Sequence, residues 1–436
     1  MLREDVNKLP FLVFPTFLKW YFCKKYSFLK TPIAITGLAS ISPLGVTDHQ
    51  QWEMYLNSKT AITWDEVLQA PVARLTQEAY ARIDALRNEN AQYKRLDNSV
   101  LYAVVAAREA LAQSGWEQGD FGVNIGSSRG ATQLFEKHYD AFAKLYADSQ
   151  ELGTTATHAS PSTTLGNIAS WVAQDLKSTG PDISHSITCS TALHAVLNGV
   201  AWLQSGMASK FLVGGSEAAL TPFTIAQMRA MKLIPLKKET AAQAGTSRNN
   251  RESPSINNSP YYCKAFDLTK TSNTMVLGEG AGMACLELGK KENALAYITG
   301  IGYATETLQH AVSLSANGSC FQRSMQMAIG DLDTSEIDAI VMHAPGTVKG
   351  DQSEIEAINA VFCNKLPLLT TNKWKIGHTF GASGLLSLKL AVQMLQHQTY
   401  VGIPYLEEAT RPKKLRNILI NAVGFGGNAV SVLVSI

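Results

Sequence analysis

The stretch SHSITCSTALHAVLNGVAWLQSGMASKFLVGGSE, residues 184–217, decides the fold class. It predicts a short strand that ends near Cys189, an apolar helix over residues 190–206 and a buried strand over residues 210–217. Strands that alternate with helices in this way indicate a parallel or mixed sheet that is covered by helices. The sequence is therefore interpreted as an α/β protein.

Cys189 stands at the junction of the first of these strands with the helix. Unpaired backbone N–H groups and the positive end of a helix dipole favour a thiolate at such a place, and the thiolate is the form that attacks a carbonyl. The alternative is that Cys189 is a small buried apolar residue, as most free cysteines are. The position marks Cys189 as a candidate nucleophile and, taken alone, leaves both interpretations open.

The same alternation extends in both directions from this stretch. Upstream, PIAITGLASISPLG (residues 32–45) predicts a buried strand with a turn, and residues 97–115 predict a helix. Downstream, ALAYITGIGYATET (residues 294–307) restarts the pattern with a similar ITG strand. We therefore expect two similar halves, residues 32–290 and residues 291–436.

Composition limits the class of protein. Of the 436 residues, 45% are apolar and 17% are charged, so a large buried core is expected, and disorder, collagen and coiled coil are excluded. The 38 Lys and Arg residues nearly balance the 36 Asp and Glu residues, which provides no overall basic field for nucleic acid. The six cysteines are scattered without a CxxC or CxxH pair, which favours reduced thiols in a cytoplasmic protein without a zinc module.

Residues 1–31 differ from the rest because aromatic side chains are concentrated in PFLVFPTFLKWYFCKKYSFL, residues 10–29. Lys19 interrupts the apolar run after roughly ten residues, whereas a membrane span needs about 20, and no small-residue cleavage pattern follows. We expect an N-terminal extension that lies on the body of the protein. Membrane contact by residues 10–29, as an interfacial amphipathic anchor, is the alternative.

Two histidines lie at Gly-rich strand ends later in the chain. His343 follows the buried strand IDAIVM and opens HAPGTVKGD, and His378 lies in TTNKWKIGHTFGASG, five residues after Lys373. Small residues around His378 allow the close backbone approach that a buried reaction chamber requires. A cysteine that forms a thioester needs partners that handle protons and developing negative charge. Taken alone, a satisfied loop histidine and a solvated lysine are the alternatives.

From about Pro32 to Ile436 the chain resembles the elongating β-ketoacyl-acyl carrier protein synthases, the ketosynthases of fatty acid and polyketide assembly. The motifs that carry the resemblance, in the family's order, are ITCSTALHA, GGSEAALTPF, FD followed by LGEGAG, HAPGTVKGDQSE, NKWKIGHTFGASG and NAVGFGGNAV. The resemblance implies a thiolase-like fold in which two similar βα halves form a layered αβαβα core. It also implies an acyltransferase that catalyses a decarboxylative Claisen condensation of an acyl thioester with malonyl-acyl carrier protein.

Carried over position by position, the resemblance implies a role for each matching catalytic residue. Cys189 would hold the acyl chain as a thioester, and His343 and His378 would assist decarboxylation of the malonyl unit by stabilising its enolate oxygen. Neutral imidazole N–H groups suit this task, because they stabilise an enolate without protonating the carbanion. Lys373 would hold the second histidine region through a hydrogen bond with Glu354.

The remaining matches concern the substrates. The backbone N–H of Phe425, together with that of the nucleophile, would bind the tetrahedral oxyanion, and the ring of Phe425, with Gly426, would form the gate between the acyl pocket and the malonyl site. Thr347, Gly377 and Gly424 match substrate-binding positions. The resemblance implies no cofactor and no metal, because the substrates are carried on the phosphopantetheine arm of the carrier protein.

The expected partners are an acyl carrier protein and either a second copy of the chain or a chain-length factor. Carrier proteins are acidic, so Lys232, Lys237 and Lys238 are candidates for a basic rim, with ordinary solvated lysines as the alternative. No nucleic acid is expected.

The chain departs from the family pattern in two places. HAPGT stands where HGTGT is usual, so Pro345 replaces a threonine that normally hydrogen-bonds the pantetheine arm, whereas Thr347 is kept. The segment FDLTKTSNTMVLGEG (residues 266–280) is longer than the common form and lacks its Arg-x-Gly. In these departures the chain resembles ketosynthases of bacterial pigment pathways, such as those of aryl polyenes.

The alternative function is that of a chain-length-factor-like partner subunit, which would keep the fold and lack the nucleophile. Cys189 argues against it. A thiolase-type enzyme is disfavoured because no second cysteine lies in a suitable Gly-rich loop near the C-terminus. GFGG precedes a terminal strand rather than a helix, so it is no Rossmann fingerprint.

Overall fold

The computed structural model describes residues 29, 31–150, 152–235, 260–307, 314–363, 365–406 and 414–436. Most of the predicted N-terminal extension, together with Lys237 and Lys238, lies outside the described residues. The strands are β1 (Ile33–Ile41), β2 (Thr63–Asp65), β3 (Ala70–Ala73), β4 (Gly122–Gly126), β5 (Asp182–His185), β6 (Lys210–Glu217), β7 (Leu277–Gly278), β8 (Gly280–Leu288), β9 (Ala296–Thr305), β10 (Ala339–Val341), β11 (Leu368–Thr370), β12 (Asn417–Gly424) and β13 (Asn428–Ser435).

The helices alternate with these strands as the sequence predicts. They are α1 (Asp48–Leu56), α2 (Gln77–Glu89), α3 (Asn98–Ser114), α4 (Thr132–Ser149), α5 (Ala159–Thr163), α6 (Ile168–Leu176), α7 (Thr191–Gln204), α8 (Pro222–Ala230), α9 (Ser319–Ile329), α10 (Val348–Phe362), α11 (Lys373–Ile376) and α12 (Ser383–His397). Single 3₁₀ turns lie at Tyr93–Arg95, Leu165–Asn167, Thr334–Glu336 and Phe380–Ala382. Among the described residues, no helix is both long enough and apolar enough to cross a bilayer.

Ten strands form one mixed sheet in the order β11-β10-β12-β13-β9-β1-β8-β6-β4-β5. In the first half, β1 pairs antiparallel with β8 and β8 with β6, while β6, β4 and β5 are parallel. The second half repeats this pattern with β9, β13, β12, β10 and β11. The two halves meet where β1 pairs antiparallel with β9. The predicted α/β fold with two similar βα halves is confirmed.

The repeated ITG sequence occupies equivalent places in the two halves. A Cβ atom at Gly37 in β1 would lie 2.1 Å from the carbonyl oxygen of Ala110 in α3. A Cβ atom at Gly300 in β9 would lie 1.9 Å from the carbonyl oxygen of Ala328 in α9. Glycine is therefore required at both positions, because in each half a helix packs directly on the backbone of the first strand.

The two halves of the sheet and the helices form five layers, in the order helix, sheet, helix, sheet, helix. α3 and α6 pack on the outer face of the first half, and α9 and α10 pack on the outer face of the second half. α7 and α12 contact each other and strands of both halves, so they form the central layer. Every residue of α12 from Ser383 to Leu395 is buried. The small sheet of β2, β3 and β7 lies beside this frame and brings Leu277 to the loop that holds His378.

Candidate active site

Cys189 lies at the elbow between β5 and α7, as the sequence predicts. The preceding residue, Thr188, adopts a left-handed backbone conformation with φ of 46°, which turns the chain sharply before the helix. Only 7% of Cys189 is exposed. A Cβ atom at Gly424 would lie 2.0 Å from Thr188 Oγ1 and 2.8 Å from the carbonyl oxygen of Ile187, so the end of β12 rests directly on the elbow.

The surroundings of Cys189 oppose the thiolate that the start of a helix favours. Burial, and next the negative charge of Glu217, raise the pKa of the Cys189 thiol to about 12, while the positive charge of Lys373 acts in the opposite direction. Burial disfavours the charged thiolate more than the charge of Lys373 and the backbone hydrogen bond favour it. The nucleophile is therefore held as a neutral thiol.

Glu217, at the end of β6, is a site residue that the sequence analysis did not identify. Its Oε1 accepts hydrogen bonds from Ser127 Oγ at 2.9 Å and from the backbone N–H of Arg129 at 3.0 Å. Its Oε2 accepts from the N–H groups of Ser128 at 2.8 Å and Gly381 at 2.9 Å. Glu217 thus joins the loop after β4 to the loop of His378. An acidic residue at the end of an apolar strand, in KFLVGGSE, was the available signal.

The two predicted histidines meet in one site. The rings of His343 and His378 are perpendicular, at 82°, and their centroids lie 5.3 Å apart. The backbone N–H of His378 donates to the carbonyl of Val276 at 2.6 Å, which ties its loop to β7. Gly377, with φ of 69°, is needed for this approach, because a Cβ atom there would lie 2.9 Å from the carbonyl carbon of Leu277.

Both imidazoles are uncharged at neutral pH. Burial, and next the charge of Lys373, lower the pKa of His378 to about 3, and the same causes hold the pKa of His343 well below its usual range. The Nδ1 of His378 accepts the backbone N–H of Phe380 at 2.9 Å. The ring proton of His378 is therefore on Nε2, which can donate it to a ligand.

Lys373 is the residue whose charge reaches every predicted catalytic group. It acts on Cys189 and on both histidines, and it is itself acted on by Glu354. Burial lowers the pKa of Lys373 to about 8, against the raising effect of Glu354. A buried cation is thus placed among a thiol and two neutral rings.

Glu354 is in the site, but the predicted hydrogen bond from Lys373 is not what holds it. Its carboxylate accepts the backbone N–H groups of His343 at 2.9 Å and Ala344 at 2.8 Å, and the side-chain amide of Asn421 at 3.1 Å. Glu354 therefore positions the first histidine loop and acts on Lys373 through its charge. Burial raises the pKa of Glu354 to about 7.

Two family models match the chain in succession. The model for the N-terminal domain of beta-ketoacyl synthases matches residues 30–292, and the model for the C-terminal domain matches residues 295–405. The chain belongs to the beta-ketoacyl synthase family. It is accordingly an acyltransferase of the kind that forms carbon–carbon bonds.

Curated beta-ketoacyl synthase relatives match over almost their whole length. Nodulation protein E of Rhizobium meliloti is 27% identical over 433 residues, which cover 91% of this chain and 98% of that protein. The 3-oxoacyl-(acyl-carrier-protein) synthase 2 of Coxiella burnetii is 26% identical over 440 residues, which cover 93% of this chain and 99% of that protein.

Solved ketosynthases share the thiolase-like fold. A chain from a type II polyketide synthase complex, in which an acyl carrier protein is bound to its ketosynthase, superposes with a TM-score of 0.75 at 18% identity, covering 93% of this chain and 99% of that one. The beta-ketoacyl synthase of Burkholderia phymatum superposes with a TM-score of 0.72 at 20% identity, covering 93% of this chain and 99% of that one.

Within this beta-ketoacyl synthase, several of the predicted substrate-binding residues lie in turns and at helix ends. Phe425 and Gly426 form the turn between β12 and β13, and 38% of Phe425 is exposed. The hydroxyl oxygen of Thr347 caps α10 by accepting the N–H of Gly350 at 3.2 Å. Lys232 is exposed, after α8. Gating, oxyanion binding and arm binding by these residues stay predictions.

Proposed function

We propose that this beta-ketoacyl synthase joins an acyl group held on Cys189 to a malonyl unit carried by an acyl carrier protein, with loss of carbon dioxide. The observation that carries the proposal is that one buried cation, Lys373, acts on both a buried thiol and two neutral imidazoles. Neutral donors stabilise an enolate without protonating its carbon, and a nearby cation offsets the charge of a transient thiolate.

In the first half-reaction, the sulfur of Cys189 attacks the carbonyl carbon of the incoming acyl thioester. A new C–S bond forms, the C–S bond to the pantetheine sulfur breaks, and the proton of the Cys189 thiol passes to the departing sulfur. Because the pKa of the thiol is raised to about 12, this proton leaves only as the attack proceeds. The N–H groups of Cys189 and Phe425 would bind the oxyanion, and one such donor contributes about 10²–10³-fold in rate.

In the second half-reaction, the malonyl carboxylate leaves as carbon dioxide, and the electron pair of the broken C–C bond becomes the enolate of the thioester. The Nε2–H of His378 donates a hydrogen bond to the enolate oxygen. The enolate carbon attacks the acyl carbonyl on Cys189, the new C–C bond forms, and the C–S bond breaks. The Cys189 thiolate that is left takes up a proton before the next cycle.

The proposal includes an acyl carrier protein as partner, with its phosphopantetheine arm as the only prosthetic group required and exposed Lys232 at the rim of the cleft. The name of the Coxiella burnetii relative and the carrier-bound polyketide ketosynthase support it. A dimer with a second copy or a chain-length factor, a cytoplasmic location, and a role in fatty acid, polyketide or aryl polyene pigment synthesis belong to the same proposal.

Intact-mass spectrometry after incubation with a panel of acyl carrier proteins loaded with different acyl groups tests this function. The wild type should gain the mass of one acyl group, and Cys189→Ala should gain none. Cys363→Ala, which removes an exposed cysteine, should behave like the wild type. An adduct that persists in Cys189→Ala would overturn the assignment of the nucleophile, and no adduct with any carrier would overturn the acyl-transfer step.

A further inference from the structure

The two active-site imidazoles differ at their buried nitrogen atoms. The Nδ1 of His378 accepts the backbone N–H of Phe380, two residues downstream. The Nδ1 of His343 is buried and has no hydrogen-bond partner among the residues that the structure describes. A buried polar atom without a partner costs about 1–3 kcal/mol, so its presence at a catalytic ring calls for a physical cause.

The cause is the residue two positions downstream of His343. That residue is Pro345, which has no backbone N–H. The other N–H groups of residues 343–346 are already used: those of His343 and Ala344 donate to Glu354, and that of Gly346 donates to Asp351 at 3.0 Å. This part of the loop therefore has no donor left for Nδ1.

The difference decides where the ring proton can lie. A neutral imidazole carries one proton, and a hydrogen bond accepted at Nδ1 forces that proton onto Nε2. His378 is thereby fixed as a donor. In His343 the proton can lie on Nε2 or on Nδ1, and in both cases Nδ1 stays without a partner. The described residues make no contact that selects one of the two tautomers.

We propose that Pro345 is a positioning residue that leaves the tautomer of His343 open, so that His343 can present a lone pair at Nε2 while His378 can only donate there. His343 then accepts a hydrogen bond from an N–H or O–H group bound in the chamber, or donates one, according to what is bound. The catalytic consequence rests on the proposed function: stabilisation of the enolate depends mainly on His378. The tautomer itself is a property of the resting protein.

Nitrogen-15 NMR of the full chain with ring-labelled histidine tests the tautomer without any substrate. His343→Asn and His378→Asn variants assign the two rings among the nine histidines. His378 should show one protonated nitrogen, Nε2, and one unprotonated nitrogen, Nδ1. His343 should show nitrogen shifts averaged between the two states, or a proton on Nδ1. A single Nε2–H tautomer in His343, identical to that of His378, would overturn the proposal.

Pro345→Ala restores an N–H at the position that Phe380 supplies to His378. In this variant the shifts of His343 should move to the pattern of His378, with an unprotonated Nδ1 and a protonated Nε2. Pro222→Ala, at an exposed proline in the first turn of α8, should leave both rings unchanged. A folded Pro345→Ala variant with unchanged His343 shifts would remove Pro345 from the proposal. Because these spectra require no turnover, their result is independent of whether the acyl-transfer proposal holds.

Discussion

The two halves of the chain have the same strand order but contribute different chemical groups to the site. In each half, the third strand of the large sheet in chain order leads into the central helix. In the first half this connection, from β5 to α7, carries Cys189. In the second half it runs from β11 to α12 and carries Lys373 and His378. The loop after the second strand holds the backbone donors to Glu217 in the first half and His343 in the second. One half therefore supplies a thiol beside a carboxylate, and the other supplies neutral imidazoles beside a cation.

The largest effect is expected from the second half. His378→Ala should lower the rate of malonyl-carrier decarboxylation by about 10²–10³-fold, because it removes a fixed N–H donor to the enolate oxygen. His343→Ala should cost less, about tenfold, in the same assay. Both variants should still acquire an acyl group on Cys189, which intact-mass spectrometry measures. Loss of acylation in a folded His343→Ala variant would show that this histidine is needed for the first half-reaction.

Lys373→Met tests whether the cation of the second half acts on the thiol of the first. The charge of Lys373 lowers the thiol pKa, so its removal should slow the alkylation of Cys189 by iodoacetamide below about pH 8, where Lys373 is charged. Condensation by the wild type should fall as pH rises through about 8, because Lys373 loses its proton there, and Lys373→Met should lose this dependence.

The matched control for this variant is Lys375→Met. Lys375 is also buried on α11, but its Nζ donates to the carbonyl of Asn57 at 2.6 Å, away from the catalytic groups. Its removal should leave the alkylation profile where it is in the wild type. Equally slowed alkylation in both variants would mean that disruption of α11, and not the charge of Lys373, acts on the thiol.

Glu217→Gln should act on the thiol of Cys189 in the opposite direction to Lys373→Met. The charge of Glu217 raises the thiol pKa, so alkylation of Cys189 should move to lower pH. In the glutamine, an N–H₂ group can replace the carboxylate oxygen that accepts two backbone N–H groups, so that donors face donors. This loss should lower the free energy of unfolding by about 1–3 kcal/mol.

Glu279→Gln is the control for this charge effect. Glu279 is a buried carboxylate bound by the hydroxyls of Tyr80 and Tyr102, and it does not act on Cys189. It should lower stability in urea denaturation without moving the alkylation profile. A shift to higher pH in Glu217→Gln would contradict the stated effect of its charge.

The sequence predicted what local pattern and motif order determine. Strand and helix alternation and the repeated ITG segment were sufficient for the two halves, and motif order was sufficient to predict that His343 and His378 meet in one site. The protonation state of Cys189 could not be predicted in this way. It depends on burial and on the charge of Glu217, which acts on the thiol only once the strand and the helix that carry the two residues have folded together. The hydrogen bonds from backbone N–H groups to Glu354 could not be predicted either, because almost every residue type carries the same backbone donor.

Substitutions of Gly37 and Gly300 should have the smallest effect on the reaction. They test most directly whether the helices of the two halves pack in the same way. Alanine at either position would bring a methyl group within about 2 Å of a helix carbonyl, and backbone atoms cannot rotate away as a side chain can. Each substitution should lower the free energy of unfolding by about 1–3 kcal/mol in urea and leave the pH dependence of Cys189 alkylation unchanged. Gly402→Ala, whose methyl group would make only an ordinary contact of 3.5 Å with Tyr400, should be nearly neutral. If Gly37→Ala destabilises and Gly300→Ala does not, the halves share strand order without sharing the way their helices pack, and the equivalence ends at topology.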